Sequence, residues 1–398
     1  MHILHLYKNY PPVFGGIENH IRTLARGQAA RGHRVTVLVT HAGRRTRRDS
    51  EDGADSQDGA DSKDGADSED GTNSEDGIEV IRAASWGQAA STPISPSLFL
   101  ELRRLRPDVA HLQFPYPPGE IAQLLFGRSR ATVISYQSDI VRQRRLARLY
   151  RPLMWRALEK ADILLASSQA YAESSSVLQR FRHKCQVVPL GIDPQPFSDV
   201  APGAVTRWRE RHPGPTVLFV GRLRYYKGLD VLIEAAAAFE ATVLIGGRGP
   251  EEARLQRLAR LSPAADRIRF LGNIAPSDLP PLLAAADVFV LPATQRSEAF
   301  GLCQVEAMAA GTPVISTELG TGTSEVNRDG ETGLVVPAGD ASELARAVRQ
   351  LLADGALRER LGAEARQRVR GVFHQDVMNE RILKIYSDVL ERRAQRKL

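Results

Sequence analysis

The sequence is poor in cysteine. Only Cys185 and Cys303 occur in 398 residues. Two thiols in unlike contexts make neither a disulfide framework nor a zinc set, and they fit reduced side chains in an intracellular protein. Long apolar runs are also missing, none nearing the roughly 18–20 residues that a spanning helix needs. The N-terminus has no basic region or cleavage site before its first strand pattern, so it does not read as a signal peptide. The first glycine-rich loop lacks the Gly-x-Gly-x-x-Gly spacing, which disfavours a dinucleotide oxidoreductase. No nucleic-acid recognition motif accompanies the charge, and no lysine-bound pyridoxal site is found. What is present is ordinary globular material, 42% hydrophobic and 25% charged, enough for about two domains of roughly 100–200 residues.

The net charge of +6 is an average of two unlike parts. Residues 49–77 carry 12 acids and one base, Lys63, leaving the rest with 52 bases against 35 acids. A basic body suggests an anionic partner: a phosphorylated substrate, a membrane surface or nucleic acid. The acidic part is five copies of a six-residue unit over 49–78. Its acids recur at positions 1 and 4, which is not the 1, 3, 5 ligand spacing of an EF-hand. With no aromatic and no apolar residue larger than Ala before Ile78, it has little apolar surface to offset ordering entropy. It is expected to be a disordered surface insertion, with weak cation binding as the alternative.

Strand and helix patterns alternate from end to end. Strands are expected over 1–7, 34–40, 78–83, 109–113, 132–136, 163–167 and 185–188, with helices over 18–31, 97–106, 141–160 and 171–180. Residues 189–202, with four prolines, read as a linker. The rhythm restarts at 216–220 and continues to 341–352, and two further helices end the chain. This is the pattern of an α/β fold with parallel sheets: two Rossmann-like doubly wound domains, 1–190 and 191–372, facing across a cleft. Residues 373–398 form a terminal helix that is expected to cross back to the first domain.

Three loops at strand ends carry polar chemistry. Gly15-Gly16-Ile17-Glu18 lies between the first strand and the first helix, where adjacent glycines let amides approach a phosphate or simply make a tight turn. Gly221-Arg222-Leu223-Arg224-Tyr225-Tyr226-Lys227-Gly228 follows the first strand of the second half. Arg222 can fork a phosphate and Lys227 can set a point charge beside it; a solvated basic loop is the plainer alternative. Glu298-Ala299-Phe300-Gly301-Leu302-Cys303-Gln304-Val305-Glu306 crosses from a loop into a helix. The helix-end amides could hold a pyrophosphate, Glu306 could chelate ribose hydroxyls and Glu298 sugar hydroxyls. The plainer alternative is one capping acid and one surface acid.

Taken in order, these loops resemble glycosyltransferase family 4, of the retaining, metal-independent GT-B type. The shared motifs are Gly-Gly-Ile-Glu, Gly-Arg-x4-Lys-Gly, Gly246-Gly247-Arg248-Gly249-Pro250 and Glu-x7-Glu followed by Gly-x-Pro-Val-Ile. They span nearly the whole chain apart from the acidic insertion. The resemblance implies a sugar transfer in which Arg222, Lys227 and Glu298 are catalytic and no metal or cofactor takes part. In a GT-B enzyme of this kind Gly16 contacts the donor, Arg222 and Lys227 neutralise the departing diphosphate, and Glu298 holds the sugar. Phe300, Gly301 and Leu302 offer backbone contacts, Glu306 binds the ribose, and Arg248 and Asn273 lie near the base. Front-face attack is implied, with the leaving phosphate taking the acceptor's proton.

Two departures stand out. Gln137, in Ser135-Tyr136-Gln137-Ser138-Asp139, stands where relatives usually carry His, and Gln cannot shuttle a proton near neutral pH. Gly320-Thr321-Gly322-Thr323-Ser324-Glu325 replaces a commoner Gly-Gly-x-x-Glu run. That run, with Asp139-Ile140-Val141-Arg142-Gln143, resembles mannosyl- and rhamnosyltransferases of bacterial surface polysaccharide assembly, which implies GDP-mannose as the first donor to consider and a glycan or lipid-linked acceptor. Gln137, Asp139 and His111 are the acceptor-side candidates, a satisfied structural residue being the plainer reading of His111. Between 142 and 156 six arginines interleave with apolar residues. That helix either lies on an anionic membrane or packs in the first domain with its arginines solvated. The enzyme is expected in the cytoplasm, peripherally on the inner face of the plasma membrane. A nucleotide-sugar epimerase on the same plan, or a non-catalytic basic scaffold, are the rival functions.

Overall fold

The computed structural model describes residues 1–13, 15–50, 78–89, 92–139 and 144–396. Most of the acidic repeat, expected as a disordered insertion, lies outside the described residues. The chain divides into two compact units. The first comprises Met1–Ala166, Val177–Val188 and Met378–Leu398, the second Ser167–Ser176 and Pro189–Val377. The sequence boundary near 190 misses one exchange: residues 167–176, read as part of the first domain, group with the second.

The first unit holds an eight-stranded sheet. Its strands are β1 (His2–Leu6), β2 (Arg34–Ala42), β3 (Arg47–Ser50), β4 (Ile78–Ser85), β7 (Val109–Phe114), β8 (Ala131–Tyr136), β9 (Ile163–Ala166) and β10 (Cys185–Val187). A small hairpin, β5 (Gly87–Ala89) and β6 (Thr92–Ile94), stands apart. The sheet order is β10-β9-β8-β7-β1-β2-β4-β3, parallel except for β3, which runs antiparallel on β4. Asp49 and Ser50 therefore belong to a strand, and the expected insertion begins two residues too early. β7 is buried along its whole length, as a strand covered on both faces must be.

The terminal helix Gln375–Gln395 belongs to this unit from Met378 onward. Met378, Ile382, Ile385, Tyr386 and Val389 form one helical stripe, and they pack with Ile3, Val109, Val133 and Ile163 of the sheet.

The second unit holds six parallel strands: β11 (Thr216–Val220), β12 (Thr242–Gly246), β13 (Ile268–Gly272), β14 (Val288–Leu291), β15 (Val314–Glu318) and β16 (Gly333–Pro337). Their order is β13-β12-β11-β14-β15-β16. The chain winds outward from β11 to β13, then returns to β14 on the other side and winds to β16. The direction reverses between β11 and β14, so a crevice opens at their carboxyl ends, where open α/β sheets bind ligands. In the first sheet the reversal falls between β1 and β7.

Several helices went unread in the sequence. Pro117–Phe126 carries one ionisable residue, Glu120, and so lacks an obvious polar face. Pro202–Arg211, with no buried residue, lies at the end of the expected linker. Gly322–Val326 is one short turn after β15.

Candidate functional site

The residues predicted to act in the second unit converge on the β11/β14 reversal. After β11 the chain makes a 3-10 turn, Tyr225–Lys227, and Gly228 follows in the left-handed region at φ 66°. A side chain there would collide with the Pro292 carbonyl just past β14, so only glycine lets the two loops meet. That contact brings Lys227 Nζ to 2.5 Å from Glu298 Oε2, with both side chains about 10% exposed. Burial alone would discharge Lys227. The Glu298 carboxylate, joined by Cys303 and Tyr226, outweighs it and holds the ammonium above its ordinary range. A Cβ on Gly221 would lie 3.9 Å from Lys227 Nζ, so the cation sits beneath the Gly221-Arg222 backbone. Arg222 itself is exposed.

The helix Leu302–Ala310 starts at Gly301, left-handed at φ 78°, and no side chain caps it. The helix start lies against Leu291 at the end of β14, and its first turn carries the positive end of the helix dipole. Gly301 and Leu302 thus sit where an anion is favoured. Phe300 is a core residue, edge-on to Phe373 at 5.8 Å, and its carbonyl accepts from Gln304 Nε2. Only its backbone is available to a ligand. Glu306 lies one turn into the helix. Burial pushes its carboxyl up to about 7, with Lys227 pulling it down. The neighbouring Cys303 thiol is pushed up to about 12, chiefly by burial, and is no nucleophile at neutral pH.

The glycine-rich turns at the ends of β11, β12 and β13 interlock. Gly221 N–H donates to Gly246 O at 3.0 Å, Gly247 N–H to Gly272 O at 2.6 Å and Leu223 N–H to Arg248 O at 3.0 Å. Arg248 Nη2 approaches to 3.6 Å of where a Cβ on Gly272 would stand, beside Asn273, and its other nitrogen lies 3.7 Å from Glu252. Arg248 and Asn273 are neighbours at the exposed rim of this crevice.

Sequence reasoning missed the residues that hold the Glu298 loop. Thr321 Oγ1 donates to the Glu298 carbonyl at 2.8 Å, Thr323 Oγ1 to the Thr317 carbonyl at 3.0 Å and Thr317 Oγ1 to the Ala293 carbonyl at 2.5 Å. Gly322 between them donates its N–H to Ala299 O at 2.7 Å, and a Cβ there would press on that carbonyl. The departure at Gly320-Thr321-Gly322-Thr323 is therefore a clamp on the loop. The alternation of Thr with Gly was the available signal.

In the first unit the candidates scatter. Gly16 opens the helix Gly16–Ala29 and is exposed, with open space around it. The Glu18 carboxylate folds back over Gly15 and accepts from Asn9 Nδ2 at 3.4 Å. Gln137 Nε2 donates to Gln113 Oε1 at 2.7 Å, and Asp139 Oδ1 accepts from Tyr136 Oη at 2.9 Å. Both Gln137 and Asp139 are partly exposed beyond the end of β8.

His111 is a correction. It is fully buried, with Nε2 2.7 Å from Ser135 Oγ and Nδ1 2.6 Å from Tyr386 Oη. Both ring nitrogens are engaged, and the helix Gln375–Gln395 covers the side chain. No acceptor reaches it. Burial, then His5 and His20, hold its pKa well below the ordinary range.

Two parallel-sheet Rossmann-like units define the GT-B class of glycosyltransferases, and solved structures share the fold. The Anabaena Alr3699/HepE structure in complex with UDP and glucose aligns with a TM-score of 0.76 at 20% identity, over 98% of this chain and 100% of that one. Sucrose-phosphate synthase from Thermosynechococcus elongatus aligns at 0.74 and 23% identity, over 98% and 99%. Residues 14–196 match the model of Glycosyltransferase Family 4, and residues 206–368 that of Glycosyl transferases group 1. The chain is 39% identical over 288 residues to D-rhamnosyltransferase WbpZ of Pseudomonas aeruginosa, covering 72% of this chain and 75% of that protein. It is 32% identical over 397 residues to O-antigen chain mannosyltransferase C of Escherichia coli, covering 99% and 100%. The protein belongs to glycosyltransferase family 4 and is a glycosyltransferase.

Proposed function

We propose that this enzyme moves a hexosyl group, mannosyl or a close relative, from a GDP-sugar to a growing glycan or lipid-linked acceptor in surface polysaccharide assembly. The transfer proceeds with retention and without a metal. The names of the two relatives above support the substrate class. The observation that carries the chemistry is the buried Lys227–Glu298 pair at the β11/β14 reversal, beside an uncapped helix start.

Breaking a glycosyl–phosphate bond puts negative charge on the departing diphosphate. Lys227, Arg222 and the amides of Leu302 and Cys303 are arranged to stabilise that charge. Glu298, held by Lys227 and the threonine clamp, accepts hydroxyl protons of the sugar in hydrogen bonds. Glu306 receives two ribose hydroxyls. The acceptor hydroxyl attacks from the face the diphosphate leaves, and a phosphate oxygen takes its proton, so no side chain here is required as a base. Gly16, Gln137 and Asp139 are assigned to the sugar and acceptor. The enzyme works in the cytoplasm, at the inner face of the plasma membrane, with the basic helix Arg144–Lys160 contributing to attachment. Among the described residues no helix is long and apolar enough to cross a membrane.

The test is a thermal-shift panel of GDP, UDP, dTDP and their sugars, with and without EDTA. Ligand at 100 times its dissociation constant adds about 2.7 kcal/mol of stability. A GDP-selective shift that survives EDTA is expected. A shift abolished by EDTA would remove the metal-free mechanism, and no shift with any nucleotide would remove the site assignment.

A further inference from the structure

The first unit carries an apolar surface that no part of the transfer chemistry uses. Trp86 is 74% exposed, Leu125 62%, Leu100 58%, Ile94 53% and Phe126 37%. They come from three neighbouring elements. Trp86 N–H donates to Ile94 O at 3.0 Å, which places the two residues at the open end of the β5–β6 hairpin. Leu100 points away from the buried face of the helix Pro96–Arg104, which is Leu98, Glu101 and Leu102. Phe99 of that helix meets Phe126 of the helix Pro117–Phe126 edge-on at 5.8 Å, and the second helix also packs on β6.

The exposed charges that these elements themselves carry are predominantly arginines, Arg104 also pairing with Glu101 at 3.0 Å. Between residues 86 and 130 the acids are Glu101, Asp108 and Glu120. Glu101 and Glu120 are buried, and Asp108 pairs with Arg130 at 3.0 Å. Arg103, Arg104, Arg106 and Arg128 are all exposed. Arg128 thus follows Leu125 and Phe126 after a single glycine, and Leu100 is followed by Arg103 and Arg104 about one turn on. Exposed Trp, Leu, Ile and Phe ringed by cations fit one kind of partner: a bilayer surface, whose acyl boundary takes the apolar side chains while anionic headgroups meet the arginines. A soluble anion gives no use for the apolar residues, and an ordinary protein partner gives no reason for the arginine-rich rim.

We infer that the face formed by Trp86, Ile94, Leu100, Leu125 and Phe126, rimmed by Arg103, Arg104 and Arg128, seats the protein on an anionic lipid bilayer. This rests on the peripheral-membrane part of the proposed function and not on its transfer chemistry. It moves the apolar anchor away from the helix Arg144–Lys160. In that helix's described half Met154, Ala157 and Leu158 are buried, leaving Leu153, Arg151 and Arg156 outward.

The test is co-sedimentation of the full chain with vesicles of phosphatidylcholine, alone or with a quarter phosphatidylglycerol. Binding to the anionic vesicles, weakened by added salt, is expected. Each of Trp86→Ser and Leu125→Ser should lower partitioning on the order of tenfold, since each removes a large apolar side chain that the bilayer boundary would take up. Arg103→Ser with Arg128→Ser should lower it on anionic vesicles only. All these positions are exposed, so an unchanged melting temperature checks the fold. If Trp86→Ser and Leu125→Ser bind like the parent while Arg151→Ser with Arg156→Ser does not, this face is overturned and peripheral attachment survives. Absence of vesicle binding overturns both. A concentration-dependent dimer that Trp86→Ser dissolves, without vesicle binding, gives the face to a second copy and overturns the inference.

Discussion

Replacing Lys227 by methionine separates the two roles of its ammonium. The side chain fills similar space, but Glu298 is left about 10% exposed with its counter-charge gone. Removing one partner of a buried pair costs about 3–5 kcal/mol, because the survivor stays desolvated. For a unit of this size each kcal/mol is worth about 2–4 °C, so Lys227→Met should melt roughly 6–12 °C lower even at the low end of that range. Glu298→Gln alone strands Lys227 and should cost a similar amount. The double variant leaves no buried charge and should recover most of the loss, giving a coupling energy of several kcal/mol in a double-mutant cycle. Turnover should behave differently. Lys227 is asked to stabilise charge on the leaving diphosphate, and losing one such group costs about 10²–10³ in kcat. The double variant should therefore be stable and inactive. Melting curves and sugar-transfer or donor-hydrolysis rates on the four proteins give the answer. If turnover returns with stability in the double variant, Lys227 is a structural cation and the reasoning fails.

Four further outcomes follow from buried groups. Glu306, raised to about 7, is half protonated in the free protein near neutrality, so nucleotide affinity should climb from pH 6 to pH 8 as the carboxylate forms. Glu306→Gln should bind more weakly and without that slope in titration calorimetry. Glu120 is buried with its carboxyl pushed up to about 8, so the native state holds a proton that the unfolded chain has released above about pH 4.3. Stability should fall as pH rises from there through 8, and Glu120→Gln should remove that loss; an unchanged melting profile would place water beside the carboxyl. His5, at about 4, His20, at about 3, and His111, lower than the ordinary range, are all depressed by burial. The unfolded chain binds protons there first, so stability should drop as pH falls below about 6.5, steepening toward three protons, or roughly 4 kcal/mol per pH unit. His20→Leu should take one proton from that slope. Thr321→Val removes the hydroxyl that grips the Glu298 carbonyl and should cost about 1 kcal/mol of stability with a larger proportional loss of turnover; equal, small effects would show that the clamp does not position Glu298.

Much of the chemistry was legible before any coordinates. The types and spacing of Gly221, Arg222, Lys227, Gly228, Glu298, Gly301 and Glu306 already described a cationic turn and a helix start with free amides. Those are local properties, set by φ/ψ preferences and helix-end amides that neighbouring residues decide. The α/β rhythm was legible for the same reason, since apolar periodicity reports one element at a time. The helix Pro117–Phe126 was lost because its single ionisable residue points inward, which erases the polar face that periodicity needs. The hairpin β5–β6 was lost because three-residue strands carry almost no pattern.

His111 shows where local reading ends. Its strand position placed it among the acceptor candidates, but Tyr386, 275 residues away in sequence, closes over it. Burial is a property of what else arrives at a site, and no spacing along one strand contains it. The threonine clamp is a second case, because Thr321 and Glu298 meet only after β15 has paired with β14. By itself the sequence determined the α/β architecture, the charged loop residues and the glycines that let them turn. Only the tertiary structure decided which charges pair, which carboxyl shifts and which histidine is sealed, because those depend on desolvation and on contacts between segments that the chain keeps far apart.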